Sequence, residues 1–350
     1  MATIMPLDAG RVRRESPSAP PWGESVRRKP RAYAALDLGT NNCRLLIARP
    51  ARQGFYVVDA FSRIVRLGEG LIQSGKLSDA AQDRAVEALK VCADKLRRRE
   101  VHIARNVATE ACRRATNGAA FIERVYAETG IALDVITSAE EARLAVLGCQ
   151  SLIEPGTTQA LVFDIGGGST ELILVDLCPR RRTDIRAWTS VPWGVVSLAE
   201  TEPLHFDSES ARLEAYARMK NRVAEHLARF SANIASQLQP GVQMLGTSGT
   251  ITTLASLHLG LPSYDRRQVD GCWVPHASMR DISTMLASKS PADRARVPCI
   301  GTDRADLVVA GCAILEAILD AWPAERLRVA DRGIREGILR TLMGRDGYHV

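Results

Sequence analysis

Aromatic residues are scarce in this 350-residue chain: five Trp, six Tyr and six Phe make up 5% of it, leaving no obvious cluster to stack a purine base. Eight cysteines, at 43, 92, 112, 149, 178, 272, 299 and 312, include no CxxC pair, and the six histidines show neither HExxH nor Cys-His spacing. That scatter argues against a zinc site or a disulfide framework and predicts mostly buried free thiols. No apolar run reaches the roughly 18 residues of a spanning helix; the longest candidate, "LVVAGCAIL", is cut by Glu316. The N-terminus has no apolar signal region and carries Asp8, Glu15 and Glu24, so a cytoplasmic protein without a membrane partner is expected. Charge is equally uninformative once located. Residues 1–31 hold seven Lys/Arg against three Asp/Glu, so +4 of the net +6 lies in a Pro- and Ser-rich stretch with no helical or strand period. A disordered tail is expected there, and no nucleic-acid partner.

Glycine, by contrast, is placed with purpose. "FDIGGGSTEL" sets Gly166, Gly167 and Gly168 between Asp164 and Glu171 inside an apolar stretch. The same grammar occurs earlier in "AYAALDLGTNNCRLLIARP", an apolar strand ending at Asp37, a turn containing Gly39, then a second strand. Aligning Asp37 on Asp164 puts Gly39 on Gly166 and Leu45, Leu46 and Ile47 on Leu172, Ile173 and Leu174, 127 residues apart. Two such copies suggest a duplicated domain with both turns facing one cleft. Between them "SDAAQDRAVEALKVCADKLRRR" has a helical period with Ser78 as N-cap, "NGAAFIERVYAETG" is a helix ending at Gly130, and "ALDVIT" is a strand. Helix, strand and helix then continue through the second half, giving an α/β architecture.

Residues without a Cβ let backbone amides converge on an oxyanion. "DIGGGST" adds the hydroxyls of Ser169 and Thr170, and "GTSGTIT" repeats the idea with Gly246, Ser248 and Gly249 ahead of a helix whose N-terminal dipole favours anions. Three polar glycine turns after apolar strands point to phosphate. Phosphate-rich substrates arrive with Mg2+, which takes one or two carboxylates plus water and phosphate oxygens; Asp164 and Glu171 are placed to hold it, or Asp164 hydrogen-bonds the turn amides instead. "GLIQSGKL" matches a P-loop only until Leu77, where Ser or Thr is needed, and is read as a surface turn.

Together "DLGTNNCRLLIA", "ATEACRRATNGAAFIERV", "ITSAEEARLAVLG", "VFDIGGGSTELILV", "GTSGTITTLA", "DRADLVVAGCAIL" and "DRGIREGIL" resemble the exopolyphosphatase / guanosine pentaphosphate phosphohydrolase (Ppx/GppA) family of the sugar kinase, Hsp70 and actin-like superfamily. The resemblance spans about residues 32 to 343 and implies two ribonuclease-H-like domains, 32–156 and 157–350, with the active site between them and the last helix returning to the first domain. It implies Mg2+-dependent hydrolysis of a terminal phosphoanhydride. On the matching positions it implies Glu141 as general base, and Asp164 and Glu171 as metal ligands. It makes Asp37, Gly39, Thr40, Asn41 and Asn42 the first phosphate loop, Gly166 to Thr170 the second, and Arg113 a phosphate contact. From the residues alone, Ser138 to Glu141 is also an S-x-x-E capping box, so Glu141 could equally cap a helix.

Two departures stand out. The family's first loop commonly reads DxGSNS, where this chain has "DLGTNN", so Asn42 replaces a small hydroxyl. Larger members carry a C-terminal helical extension, and its absence here argues against high processivity on polyphosphate. Arg97, Arg98, Arg99, Arg105, Arg114 and Arg180 to Arg182 are candidates to line a basic substrate groove. The substrate is expected to be inorganic polyphosphate, or alternatively guanosine pentaphosphate. A kinase of the same superfamily, or a polyphosphate or alarmone sensor without chemistry, are the other readings. A homodimer is common among such relatives.

Overall fold

The computed structural model describes residues 31–178, 182–202 and 208–349; the segment expected to be a disordered tail lies, but for Arg31, outside them. Two mixed sheets organise the chain. The first is built from β1 (Tyr33–Leu38), β2 (Asn42–Pro50), β3 (Phe55–Ile64), β4 (Ile103–Ala108) and β5 (Asp134–Val135), in the order β3-β2-β1-β4-β5. The second comprises β6 (Gln159–Ile165), β7 (Thr170–Cys178), β8 (Arg182–Val191), β9 (Gln243–Thr247), β10 (Trp273–Pro275) and β11 (Arg326–Ala330), in the order β10-β11-β9-β6-β7-β8.

The duplication read from the sequence extends to backbone detail. In each half three antiparallel strands lead the sheet and the fourth pairs parallel to the first: β1 with β4, β6 with β9. The Gly39 amide donates to the Asn42 carbonyl at 2.9 Å, and 127 residues later the Gly166 amide donates to the Ser169 carbonyl at 2.9 Å. Even the register shift recurs, between Ile47 and Ala48 against β3 and between Leu174 and Val175 against β8.

Side chains alternate across each central strand because the strand period is two. Ala34, Leu36 and Leu38 pack into an outer core with the helix Asp79–Arg98, while Tyr33 and Ala35 face inward with the last helix, Ile334–Arg345. Leu161, Phe163 and Ile165 face the outer core of the second half, and Ala160 and Val162 face the helix Ser138–Cys149. The middle layer is thus those two helices, packed on each other and on the facing sheets. They approach so closely that a Cβ on Gly337 would sit 2.1 Å from the Leu144 carbonyl oxygen. Ser78 caps its helix by accepting from the Ala81 amide, and Gly130 ends the helix Gly118–Thr129 in a left-handed conformation, both as the sequence indicates. The P-loop look-alike forms a short helix, Leu71–Ser74, between left-handed Gly70 and Gly75. "ALDVIT" supplies only the two-residue β5. Among the described residues no helix is long and apolar enough to cross a membrane, and Cys43, Cys92, Cys112, Cys149, Cys272, Cys299 and Cys312 are free thiols.

Candidate active site

Where β1, β6 and β9 end, their loops meet around a cavity of about 140 Å³. Both hairpin turns line it and their tips touch: a Cβ on Gly167 would lie 2.9 Å from Thr40 Cβ and 3.0 Å from the Asn41 amide nitrogen. Bare backbone is required here because the second turn is pressed against the first. The first is anchored from behind, its Asn41 carbonyl accepting from Val65 and Arg66 and its Thr40 carbonyl from Gly68. The second has its Gly166 and Gly167 carbonyls taken by the amides of Val195 and Val196. Among the described residues the amides of Thr40, Asn41, Gly167 and Gly168 have no protein acceptor. Unpaired backbone donors gathered at a cavity are an anion-binding arrangement. Ser248 and Gly249, opening the helix Gly249–His258, complete the wall.

Glu141 reaches this cavity from the first turn of the helix Ser138–Cys149. The capping question is settled by geometry: the N-cap is Thr137, one residue before the one expected, accepting from the Glu140 amide at 3.2 Å. Glu140 turns outward to Arg105 and Arg143. Glu141 is therefore free of capping duty, 7% exposed, with its Oε2 accepting from Arg113 Nη1 and Nη2 at 3.3 and 3.2 Å. Burial raises its carboxyl well above the usual range, Glu171 adds repulsion, and Arg113 opposes both.

Asp164 and Glu171 stand directly opposite each other in the β6–β7 ladder and so share a face. Burial, with repulsion from Glu171 and Asp37, pushes Asp164 up to about 8. Glu171 is pushed up to about 7 by burial, moderated by the Ser190 and Ser169 hydroxyls, which both donate to its Oε1. Asp37 is raised by burial and eased by Arg44 and Arg335; its Oδ1 is buried without a hydrogen-bond partner. Asp37 and Asp164, which line the cavity, could offer a hard divalent cation carboxylate oxygens, one of them orphaned, with open space for water or phosphate oxygens, while Glu171 stands behind them. Among the described residues they do not converge as a closed cage of three.

A sequence profile of the Ppx/GppA phosphatase family matches residues 46–346. The chain belongs to that family. Exopolyphosphatase 2 of Mycobacterium tuberculosis is 30% identical over 324 residues, 89% of this chain and 98% of that protein. The Aquifex aeolicus Ppx/GppA family member has a similar structure, with a TM-score of 0.74 at 28% identity over 91% of this chain and 99% of that one. An exopolyphosphatase from Cytophaga hutchinsonii gives a TM-score of 0.80 at 25% identity, covering 90% and 98%. The Ppx/GppA fold is the two-domain, actin-like one that the duplicated hairpins describe.

Within this Ppx/GppA site the structure brings together Asp37, Gly39, Thr40, Asn41, Asn42, Glu141, Asp164, Gly166, Gly167, Gly168, Ser169, Ser248 and Gly249 around the cavity. Four expected contacts lie elsewhere. Gly246 is inside β9, where a Cβ would strike the Phe163 ring at 2.6 Å, so its role is packing. Thr170 gives its hydroxyl to the Trp193 carbonyl, and Ser169, though at the cavity, gives its own to Glu171. Glu171 itself is enclosed, 1% exposed, behind the lining residues. Arg113 does not line the cavity: Glu110, Glu141 and the Ile136 carbonyl take its guanidinium, which makes it the clamp on Glu141. Of the arginines expected in a groove, Arg97, Arg99, Arg105 and Arg114 are ion-paired with Asp94, Asp59, Glu140 and Glu110. Neither they nor Arg98 line this cavity. Arg180 and Arg181, and the side chain of Arg182, lie outside the described residues.

Two cations at the cavity escaped the sequence reading. Arg304 donates to Thr253 Oγ1 at 3.1 Å. Arg44 pairs directly across the first hairpin from Asp37. Burial and the neighbouring Arg335 lower its affinity for a proton, while Asp37, Asp331 and Asp164 support its charge. The repeat held the signal for it, because the 127-residue offset sets Arg44 on Glu171.

Proposed function

We propose that the protein is a Mg2+-dependent phosphohydrolase that removes the terminal phosphate of inorganic polyphosphate. The observation that carries the reading is the convergence, on one small cavity, of four unclaimed amides, the cation Arg44 and a buried carboxylate that caps nothing. The amides and Arg44 would grip phosphoryl oxygens and favour the charge that builds on them during transfer. Glu141, oriented by Arg113, would accept a proton as a water oxygen attacks the terminal phosphorus and the bridging P–O bond breaks, its electrons leaving with the shortened chain. Asp164 and Glu171 would hold Mg2+, with Asp37 beside them, and when bound it supplies charge neutralisation of the phosphate oxygens. The names of the Mycobacterium tuberculosis and Cytophaga hutchinsonii relatives support the polyphosphate choice.

The test is orthophosphate release with Mg2+ from long-chain polyphosphate and from guanosine pentaphosphate, wild type beside Glu141→Gln. Loss of a general base predicts a fall of about 10²- to 10⁴-fold in kcat. Wild-type turnover that survives in Glu141→Gln would remove Glu141 from the mechanism, and a clear preference for guanosine pentaphosphate would replace the substrate.

A further inference from the structure

The reaction cavity is too small for a whole substrate. At about 140 Å³ it lies below the ~300 Å³ where small-molecule sites begin. The remainder of a chain must leave it; of the cavities that share lining residues with it, one on Thr40, Glu110 and Gly168 holds only about 10 Å³, and two are larger.

One, of about 320 Å³, shares Leu307 with the reaction cavity and is lined by Glu69, Glu200, Glu202 and Asp306 against Arg66 and Arg294. Arg294 is buried, and its guanidinium donates to the Ala305 and Lys289 carbonyls. Glu200 Oε2 is buried without a donor. Glu69, Glu202 and Asp306 are paired with Arg84, with Arg218 and Arg222, and with Arg66, so the acid that a polyanion would meet there without a cation among the described residues is Glu200.

The other, a groove of about 660 Å³, shares Asn42 and Arg304 with the reaction cavity and runs between β3 and the 300–304 segment. Its lining holds Arg63, Arg66, Arg84 and Arg304 against Asp303 alone, and no aromatic ring. Arg66 and Arg84 already pair with Asp306 and Glu69. Arg63 and Arg304 have no carboxylate partner among the described residues; Arg63 lies over the Phe61 ring, 5.3 Å from its centroid. Unbranched phosphate needs only cations spaced along a path, whereas a nucleoside needs a surface for its base.

Resting on the reading above, we propose that the unreacted part of a linear polyphosphate leaves past Asn42 and Arg304 and lies in this groove, with Arg63 as its outer cation. The experiment compares wild type with Arg63→Glu, and with Arg97→Glu as an equal change of charge outside the groove. KM for phosphate release is measured on long-chain polyphosphate, tripolyphosphate and guanosine pentaphosphate, and Kd for long-chain polyphosphate is measured by calorimetry. Reversing one exposed contact should raise the long-chain KM and Kd about fivefold or more relative to Arg97→Glu, the ratio of long-chain to tripolyphosphate KM should rise with it, and both effects should shrink with added salt. An unchanged ratio with an unchanged Kd overturns the proposal. So does a larger effect on guanosine pentaphosphate than on the long chain, which would assign the groove to a nucleotide's distal phosphates. Should wild type release no phosphate at all, the hydrolase reading fails, and the Kd comparison decides the groove by itself.

Discussion

The two halves place the same backbone under opposite charges. Hairpin turn, register shift and parallel neighbour repeat at an offset of 127 residues, yet the residue facing the strand-tip aspartate is Arg44 in one half and Glu171 in the other. The first half carries its own cation. The second holds two carboxylates that burial leaves reluctant to ionise, Asp164 the more so for the repulsion of Glu171, and on the proposed function its cation would come from outside. Both halves thus share one scaffold, and on the function proposed above one position in each copy would divide the work of neutralising phosphate between a side chain and an ion.

The sharpest way to break that comparison is Arg44→Met. If Arg44 stabilises charge developing on the phosphoryl group, its loss should lower kcat by about 10²- to 10³-fold, the range for removing one preorganised donor. Arg44→Lys should recover only part, because an ammonium lacks the planar fork that meets two oxygens at once. Orthophosphate should also cease to raise the melting temperature of Arg44→Met, a readout that needs no turnover. Wild-type kinetics in Arg44→Met would show that the internal cation serves packing alone.

The turns themselves differ at matched glycines, which gives a smaller effect. A Cβ on Gly39 would sit 3.5 Å from the Asn42 carbonyl oxygen, an ordinary contact, but on Gly166 it would sit 2.8 Å from that of Ser169. Gly166→Ala should therefore cost about 1–3 kcal/mol, as overpacking does, while Gly39→Ala should stay within ~0.5 kcal/mol of wild type. Thermal or urea unfolding of the two variants measures this directly. Equal losses would mean that the turns are alike in tolerance and that only residues 44 and 171 set the halves apart.

How much of this was written in the sequence follows the same division. Strand tip, glycines and following strand were legible at both hairpins because apolar runs, acid and turn residues sit next to one another in the chain. Arg44 was not, because an arginine two residues into a strand looks like any solvent-facing side chain until the opposing residue is known. Glu141 was ambiguous because Thr137 and Ser138 are both good caps, and only the backbone shows which is used. The groove arginines were misplaced for a third reason. Arg97, Arg98 and Arg99 form a conspicuous run, but they end a helix, and Arg97 and Arg99 pair with local acids. Arg63 and Arg304 are 241 positions apart and meet only because β3 and the 300–304 segment border the same groove. Gly246 misled because a glycine that accommodates a ring and one that admits phosphate look identical in a string of letters.

The smallest predicted effect tests the outside cation. Asp164 and Glu171 have folded-state affinities for protons raised to about 8 and about 7, above the ordinary carboxylate range that applies to the unfolded chain. Between those values the folded protein holds protons that the unfolded chain has released, so stability is fully present below the ordinary carboxylate range and falls as pH rises through 7 and 8. A divalent ion bound to the ionised carboxylates competes with those protons and stabilises only the folded state. Melting temperature without Mg2+ should therefore drop between pH 5 and pH 8. Added Mg2+ should raise it by a few degrees at pH 8 (~1–2 kcal/mol in a protein of this size) and hardly at all at pH 5. Glu171→Gln should flatten the metal-free slope, since the remaining carboxylate no longer faces a second one across the ladder. If Mg2+ stabilises equally at both pH values, the ion binds elsewhere, and the second half must neutralise phosphate without the help its acids invite.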